Sequence, residues 1–235
     1  MAAAATVYDH GSVYPSESEV IDVNLTWPVS PGSPHGYDGG AFAGLESLTV
    51  NGENRYGFCI DLYHYSVDGG PLNYTVNSLG SSPTASPPGA MGAATATFIS
   101  ELWAQYYSAN MGAAEAAGLQ VAIWSLVVPG ASVSSSSGMA SPIFTWLTSG
   151  GSTASVKATA QNDIAFINTE IADGQTPAVA ELQAINPSKY GQAFVIDSVP
   201  DGGSTARLLA MGLVCLGSFS LRSRERFCRQ HPGRQ

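Results

Sequence analysis

The chain has 235 residues, which is enough for one sizeable domain or two small ones. Only 11% of the residues are charged, whereas glycine (26) and proline (14) are plentiful, a composition typical of exported β-rich proteins more than of cytosolic enzymes. Six of the nine basic residues are arginines in the last 29 residues, which leaves three basic residues against 17 acidic ones before them. This acidic body should repel nucleic acid and anionic membranes, which excludes both as its partners.

The N-terminal part of the body contains one predicted strand. Residues 1–11 lack the basic and long apolar regions of a complete signal peptide but resemble the small-residue end of a cleavage region. We therefore expect a start that has been trimmed or assigned to the wrong residue. In residues 19–27, apolar and polar side chains alternate, so that Val23, Leu25 and Trp27 share one face. This alternation predicts a half-buried strand.

A hairpin is predicted around Asn51-Gly52, because these residue types adopt the positive φ angles of tight turns more readily than others. The pair lies between two apolar segments, residues 41–50 and 55–65, which we expect to pair as antiparallel strands. Along the second segment, Tyr56 and Phe58 share one face with Ile60 and Leu62, and Cys59 lies on the opposite face. It lies beside Gly57, whose missing side chain should leave room for another group to approach.

Helical periodicity replaces strand alternation in the middle of the chain. Phe98, Leu102 and Tyr106 recur every four residues and predict one helix. A second helix is predicted over residues 113–127 and a longer amphipathic one over residues 156–171.

The remaining segments of the body complete the predicted fold. Residues 78–92 are rich in Ser, Pro and Gly and predict a mobile loop, residues 142–147 predict one helical turn, and residues 192–199 return to strand character. Strands, then helices, then a strand predict an α+β fold: an antiparallel β-sheet or β-sandwich with a helical insertion. We divide the chain into a body, residues 1–198, and a C-terminal tail, residues 199–235.

The tail carries three features in a fixed order. It begins with Val199, Pro200, Asp201, Gly202 and Gly203. An apolar run over residues 208–221 follows, and four arginines at positions 222, 224, 226 and 229 come after it. A stable membrane span needs roughly 20 apolar residues, so this shorter run predicts a transient anchor whose basic end stays cytoplasmic.

This tail resembles the C-terminal sorting signals that bacterial exosortases process, the PEP-CTERM group, in its VPDSG-type variant. The resemblance implies export to the envelope, outer surface or extracellular matrix of a Gram-negative-type bacterium. It also implies an exosortase-type sorting enzyme as a partner and removal of the tail near residues 200–203. Arg207 at the start of the apolar run and the extension over residues 227–235 depart from the usual pattern.

Two short motifs in the body carry a second resemblance. Residues 56–62 have the sequence YGFCIDL, which contains Cys59, and residues 118–124 have the sequence GLQVAIW, which contains Gln120. Together they resemble the thioester domain of bacterial surface adhesins. That resemblance implies that Cys59 and Gln120 meet in the fold and form an internal thioester for capturing an amine.

The resemblance also implies supporting roles around the bond. Phe58, Asp61 and Trp124 are expected to shield or support the thioester, and Trp103 is a further aromatic candidate for the shield. Such a bond requires attack of the thiol on a poorly electrophilic amide, hence near-attack geometry and a stabilised oxyanion. It then has to be kept from water. Leu119 departs from the threonine that usually precedes the glutamine.

Three functions remain open on the sequence. The first is a surface or matrix protein, an adhesin that captures amines on a target covalently and once, without turnover. The second is a non-covalent structural or binding module of the envelope or exopolysaccharide matrix, in which Cys59 is a packed thiol and Gln120 bonds to a strand edge. The third is a cysteine hydrolase that uses Cys59 with His35 or His64.

The enzyme alternative lacks its usual sequence signals. The chain shows no nucleophile at a helix N-terminus, no glycine-rich phosphate loop and no metal-ligand spacing. We therefore expect a protein that is not an enzyme and uses neither a cofactor nor a metal. Its expected partners are the sorting enzyme and either an amine-bearing surface or a matrix polysaccharide, with membrane contact only through the tail.

Overall fold

The computed structural model describes residues 2–13, 19–24, 38–64, 66, 69–85, 89–128, 133–134, 138–139, 144–146, 153–173, 178–188 and 191–198. The chain divides into two compact units, Met1–Asp197 and Ser198–Gln235. All described residues except Ser198 belong to the first unit, so the predicted sorting tail lies outside them. Within the described residues, no helix combines the length and the apolar character needed to cross a bilayer.

The described residues begin with a run of strands, and helices and further strands follow. The strands are β1 (Ala3–Ser12), β2 (Glu19–Asn24), β3 (Asp38–Ala43), β4 (Glu46–Val50), β5 (Glu53–Cys59), β6 (Gly69–Ser78), β7 (Val133–Ser134), β8 (Gly138–Met139), β9 (Phe144–Trp146), β10 (Leu182–Pro187) and β11 (Phe194–Asp197). The helices are α1 (Gly92–Tyr106), α2 (Ala113–Val127) and α3 (Thr153–Asp173).

Six of these strands close into an antiparallel barrel in the order β1-β4-β5-β11-β10-β6, with β6 pairing back to β1. Strands β3, β2 and β9 form a separate small sheet, and β7 pairs with β8. The α+β class with an antiparallel sheet is therefore confirmed, and the sheet is a closed barrel where a sheet or sandwich was predicted.

Side chains alternate between the inside of the barrel and its outer wall, as in any strand. On β1 the buried positions are Ala5, Val7 and Asp9, and exposed residues lie between them. Val7 and Leu48 have no exposed surface, so apolar side chains pack the interior of the barrel.

The β4–β5 hairpin confirms the turn predicted at Asn51-Gly52. Asn51 has φ of 52° and Gly52 has φ of 87°, the two left-handed conformations that a tight hairpin turn requires. Val50 pairs with Glu53 directly across this turn. The turn therefore sets the register that brings Cys59 to the end of β5.

The strands on either side of this hairpin end earlier than predicted. The predicted strand over residues 41–50 is interrupted at Gly44, because its two halves, β3 and β4, belong to different sheets. The predicted strand over residues 55–65 ends at Cys59, and residues 62–64 form a turn and bend instead.

Three other segments differ from their predicted form. Residues 3–11, for which no strand was predicted, lie in β1, where Ala5 and Val7 pack inside the barrel. Residues 142–147, predicted as a helical turn, contain β9, which pairs with β2. Strand β10 is missed by the sequence analysis because Ala184 and Ile185 are both buried, on opposite faces, which removes the alternation that marks a strand.

Part of the predicted mobile loop, residues 78–92, is tied to the barrel. A short 3₁₀ helix, Leu79–Ser81, opens this loop. The buried Asn186 side chain then donates to the Ser82 hydroxyl (2.9 Å) and accepts from the Thr84 backbone N–H (3.0 Å). The expectation of mobility is wrong for this part, because a buried amide on β10 holds it.

Helix α2 is the central helix of the described body, and its bounds match the predicted ones. Every residue from 116 to 124 is buried. The helix packs against α1, α3, β5 and the small sheet. A helix buried on all sides needs apolar residues on all sides, and Gln120 interrupts an otherwise apolar run.

Helices α2 and α3 approach each other closely at Gly118, two residues before Gln120. A Cβ atom at this position would lie 2.5 Å from both Cβ and Cγ2 of Thr159. The absent side chain of Gly118 therefore fixes how deeply α2 can sit.

Gly118→Ala should destabilise the fold by about 1–3 kcal/mol, the usual cost of overpacking a core, even though alanine favours helices. Gly44→Ala is the matched control, because its Cβ would make only an ordinary 3.5 Å contact with Ser12 Oγ. Urea unfolding of both variants measures the difference. If the two variants were equally stable, α3 would have to shift at Thr159 and make room for the added Cβ atom.

Helix α3 carries a buried carboxylate. Asp163 is 1% exposed, and its Oδ2 atom has no hydrogen-bond partner in the described part of the chain. Burial raises the pKa of Asp163 to about 7. The folded state therefore holds a proton on Asp163 more tightly than the unfolded chain, whose aspartates titrate near about 3.9.

This raised pKa predicts that stability falls as pH rises from about 4 to about 7, because the folded state must release the proton that it binds more tightly. Asp163→Asn should flatten this fall and stabilise the protein at pH 8, by roughly 2 kcal/mol or more. Denaturant melts at several pH values test this. If the free energy of unfolding of Asp163→Asn falls with pH as steeply as that of the parent, the prediction is contradicted. A change in that free energy that is the same at every pH would reflect packing alone.

Candidate functional site

Cys59 is the last residue of β5 and extends past the first residue of the neighbouring strand β4. Glu46 is the first residue of β4, and it pairs with Gly57. Cys59 lies two residues further along β5, so its backbone groups on that side have no strand partner. On the other side β11 runs alongside, with Phe194 opposite Cys59.

Gln120 of α2 supplies the missing partners. The Cys59 N–H donates to Gln120 Oε1 at 2.8 Å, and Gln120 Nε2 donates to the Cys59 carbonyl oxygen at 2.8 Å. The side-chain amide thus takes the place of a paired strand residue. Both side chains are almost fully buried, Gln120 at 1% exposed and Cys59 at 4%, and buried polar groups of this kind require partners.

The structure therefore brings together the two residues that the sequence analysis paired. The contact joins the Gln120 carboxamide to the Cys59 backbone, which is the arrangement expected of a strand-edge hydrogen bond. It also places the carboxamide beside the residue that carries the thiol.

The Cys59 sulfur lies in a dry setting that contains acidic groups. Burial raises the pKa of the Cys59 thiol well above its ordinary value, and the carboxylates of Asp61 and Glu46 raise it further. The Asp61 backbone N–H, which donates to Sγ at 3.3 Å, lowers it in part, as does the indole of Trp124. The Trp124 indole N–H is buried and has no nitrogen or oxygen partner among the described residues. Its interaction with the Cys59 sulfur is the one through which Trp124 lowers the thiol pKa.

Asp61 organises the turn that follows Cys59. Its Oδ1 atom accepts from the Tyr63 N–H at 3.0 Å, and its Oδ2 atom pairs with His64 Nδ1 at 2.8 Å. Gln192 donates to the Asp61 carbonyl oxygen at 2.9 Å. The hydrogen bond that His64 makes to the Asp61 carboxylate raises the pKa of His64 against the opposing effect of burial. The Asp61 side chain is 1% exposed and that of His64 is 26% exposed, so this pair leads from the sulfur towards solvent.

The aromatic residues predicted as a shield lie on two different faces. Phe58 points away from the sulfur, because neighbouring residues of a strand face opposite sides. It packs edge-on against Trp103, at a centroid distance of 5.5 Å, and against Tyr107, at 6.4 Å. Phe58 and Trp103 therefore anchor β5 to α1, and Trp124 is the aromatic residue on the side of the sulfur.

The space beside Gly57 is already filled. A Cβ atom there would lie 2.9 Å from the Val195 carbonyl oxygen and 3.1 Å from Leu48 Cδ1. Gly57 thus makes room for the packing of the barrel itself, and the expectation that it leaves space for an approaching group is wrong.

The structure adds residues to the site that the sequence analysis missed. Tyr74 of β6 is buried, its hydroxyl donates to the Gln192 carbonyl oxygen at 3.2 Å, and burial, then the charges of Asp9, Asp61 and Cys59, raise its pKa. Ser66 donates to the buried Asp9 of β1. No sequence signal links these residues, because only closure of the barrel brings β1, β5 and β6 together. His35 and the sorting motif, residues 199–203, lie outside the described residues.

Gln120→Ala should cost about 2–4 kcal/mol of stability, because it leaves two buried Cys59 groups without partners. The control is Gln192→Ala, which removes one hydrogen bond to the Asp61 carbonyl oxygen and should cost about 1 kcal/mol. Urea unfolding at one pH measures both. Equal losses would contradict the two-bond role of Gln120.

Comparison of the chain with protein-family models, with curated proteins and with solved structures gives no match. The function is therefore inferred from the buried Cys59 thiol, the buried Gln120 carboxamide beside it and the groups that surround them.

Proposed function

We propose that the chain is an exported surface or extracellular-matrix protein that stores an internal thioester between Cys59 and Gln120 and uses it to capture an amine on a target. The observation that supports this most is the pair of hydrogen bonds that holds the Gln120 carboxamide on the Cys59 backbone. These bonds fix the carbon to be attacked beside the residue that carries the thiol, and such proximity lowers the barrier of an otherwise slow step.

Bond lengths limit how far the reacting carbon can be from the sulfur. A C=O bond is about 1.2 Å long, so the 2.8 Å contact keeps Gln120 Cδ within about 4 Å of the Cys59 nitrogen. The sulfur is two bonds from the Cα that carries this nitrogen. Rotation about the Cα–Cβ bond of Cys59 changes the distance from Sγ to Cδ, and attack requires a separation of about 3–3.5 Å.

Formation of the thioester needs no co-reactant. Cys59 Sγ attacks Gln120 Cδ, and negative charge develops on Oε1, which already accepts a hydrogen bond from the Cys59 N–H. The Cys59 backbone thus stabilises the oxyanion. The bond from Cδ to Nε2 then breaks, and ammonia leaves with the proton that the thiol has lost.

The thiol proton needs an acceptor, because burial raises the pKa of Cys59. Asp61 is a candidate, because its N–H donates to the sulfur and its carboxylate is paired with His64. In this proposal the pair receives the proton from the thiol and returns it to the departing ammonia, as a general base and then a general acid.

Burial suits the storage of a thioester more than its formation. A site that excludes water protects the bond from hydrolysis, and Gln120 is 1% exposed. An incoming amine attacks Cδ, forms an amide with Gln120 and releases the Cys59 thiol, so the protein acts once. The body contains two lysines, Lys157 and Lys189, which limits capture of its own amines.

The cellular setting follows from the tail. In this proposal an exosortase-type enzyme removes the tail near residues 200–203 after the apolar run has anchored the chain transiently. Release on the outer side of the envelope would place the body where it meets an amine-bearing surface or the extracellular matrix.

A second candidate rests on the same two hydrogen bonds. Both polar atoms of the Gln120 side chain are satisfied by the Cys59 backbone, which is sufficient reason for a buried glutamine without any covalent bond. The chain would then be a non-covalent structural or binding module of the envelope or matrix.

The intact mass of the full chain decides between the two candidates. We expect the parent protein to be lighter than its sequence by one ammonia, and incubation with methylamine to add one methylamine to that lighter mass. Cys59→Ser is the matched control, because it keeps the size of the side chain but lacks the thiol, and it should show its full sequence mass.

Thiol titration after unfolding gives an independent readout. With a thioester, Cys59 stays unreactive in the unfolded parent until a nucleophile opens the bond. Full sequence mass in both proteins, with Cys59 titrating freely on unfolding, would contradict the thioester and leave the non-covalent module.

A further inference from the structure

One part of the outer barrel wall is left uncovered by the helices. Strands β6, β1, β4 and the first half of β5, residues 53–56, lie side by side there, and Tyr8 and Tyr56 are each 39% exposed. The outward positions of these strands, which we call the neutral face, are Ala4, Thr6, Tyr8, His10, Ser47, Thr49, Asn54, Tyr56, Asn73, Thr75 and Asn77.

The composition of the neutral face contrasts with that of the body around it. The body has 16 acidic residues, yet no outward position of this face is Asp, Glu, Lys or Arg. Hydroxyl and amide side chains take their place, with two aromatic rings. The face therefore offers hydrogen-bonding groups and aromatic surface without a fixed charge.

Strand register places the two tyrosines on either side of β4. Tyr8 lies opposite Thr49, and Tyr56 lies opposite Ser47. Two strand spacings and two residues along a strand separate their Cα atoms by about 12 Å. Each ring is half-exposed on a strand that a closed barrel holds rigidly.

A chain of hydrogen bonds crosses the surface between these rings. His10 Nε2 bonds to Thr49 Oγ1 at 2.8 Å, and Thr49 Oγ1 donates to Asn54 Oδ1 at 3.2 Å. The polar groups between the rings are thereby fixed in orientation. Preorganised polar groups beside aromatic surfaces keep the entropic cost of binding low.

We propose that the neutral face binds an uncharged polysaccharide. The C–H face of a sugar ring is apolar and packs on an aromatic ring, while its hydroxyls exchange hydrogen bonds with hydroxyl, amide and imidazole groups. Tyr8 and Tyr56 provide two such rings, and the His10–Thr49–Asn54 chain provides the polar groups. The acidic body repels anionic polymers, so the absence of charge on this face selects neutral glycans.

This binding does not depend on the thioester. The neutral face is on the outer wall, whereas the Cys59 thiol is buried at 4% exposure. Binding to glycan is reversible and capture by a thioester is covalent. The Cys59→Ser variant should therefore bind glycan as the parent does, whatever the fate of the proposed bond.

Affinity electrophoresis of the full chain tests the proposal. The gels contain one of four neutral polysaccharides (amylose, hydroxyethyl cellulose, a soluble β-1,3-glucan or mannan) or the anionic alginate. We expect at least one neutral gel to retard the parent, and Tyr8→Ala/Tyr56→Ala to weaken this binding at least tenfold. Phe42→Ala, which removes a 63% exposed aromatic ring from β3, is the matched control and should bind as the parent does.

Three outcomes would overturn the proposal. The first is no retardation of the parent by any neutral gel, and the second is stronger retardation by alginate. The third is self-association through the neutral face, seen by sedimentation as a parent dimer that Tyr8→Ala/Tyr56→Ala converts to a monomer. Thermal melts of all variants confirm that the double variant is folded, since both tyrosines lie outside the core.

Discussion

The site depends on one unpaired stretch of backbone. Because β4 begins at Glu46, the backbone of Cys59 would have neither strand nor water as a partner on that side. A buried peptide group without a hydrogen bond is costly, and Gln120 removes that cost with a single side chain. Helix α2 has to sit deeply enough to deliver this amide, which explains its burial on all sides and the close approach at Gly118.

The same burial has opposite consequences for making and for keeping a thioester. It disfavours the thiolate, as the raised pKa of Cys59 shows, and it keeps water from the bond once formed. The turn at Asp61 relieves part of this conflict, since its N–H bonds to the sulfur and its carboxylate joins the sulfur region to the half-buried His64. A site that is to act once can tolerate slow formation of the bond more easily than rapid hydrolysis.

The barrel separates two kinds of chemistry. Its interior gathers Asp9, Cys59 and Tyr74 in a dry setting where charge is expensive. Its outer wall carries uncharged polar side chains and two exposed tyrosines. A closed barrel can keep these apart because alternate residues of each strand face opposite sides. Reversible binding at the wall and covalent chemistry within would suit a protein that has to stay attached outside the cell.

The sequence by itself determined the elements whose structure depends on residues close together in the chain. The Asn51-Gly52 turn and the bounds of α2 follow from turn chemistry and from periodicity. The partnership of Cys59 and Gln120 was predictable from two motifs 61 residues apart. The closure of the barrel was not, because β10 lacks alternation when both of its faces are buried. Only the tertiary structure brought Asp9 and Tyr74 towards the sulfur and turned Phe58 away from it, since register and curvature, not sequence distance, decide which side chains meet.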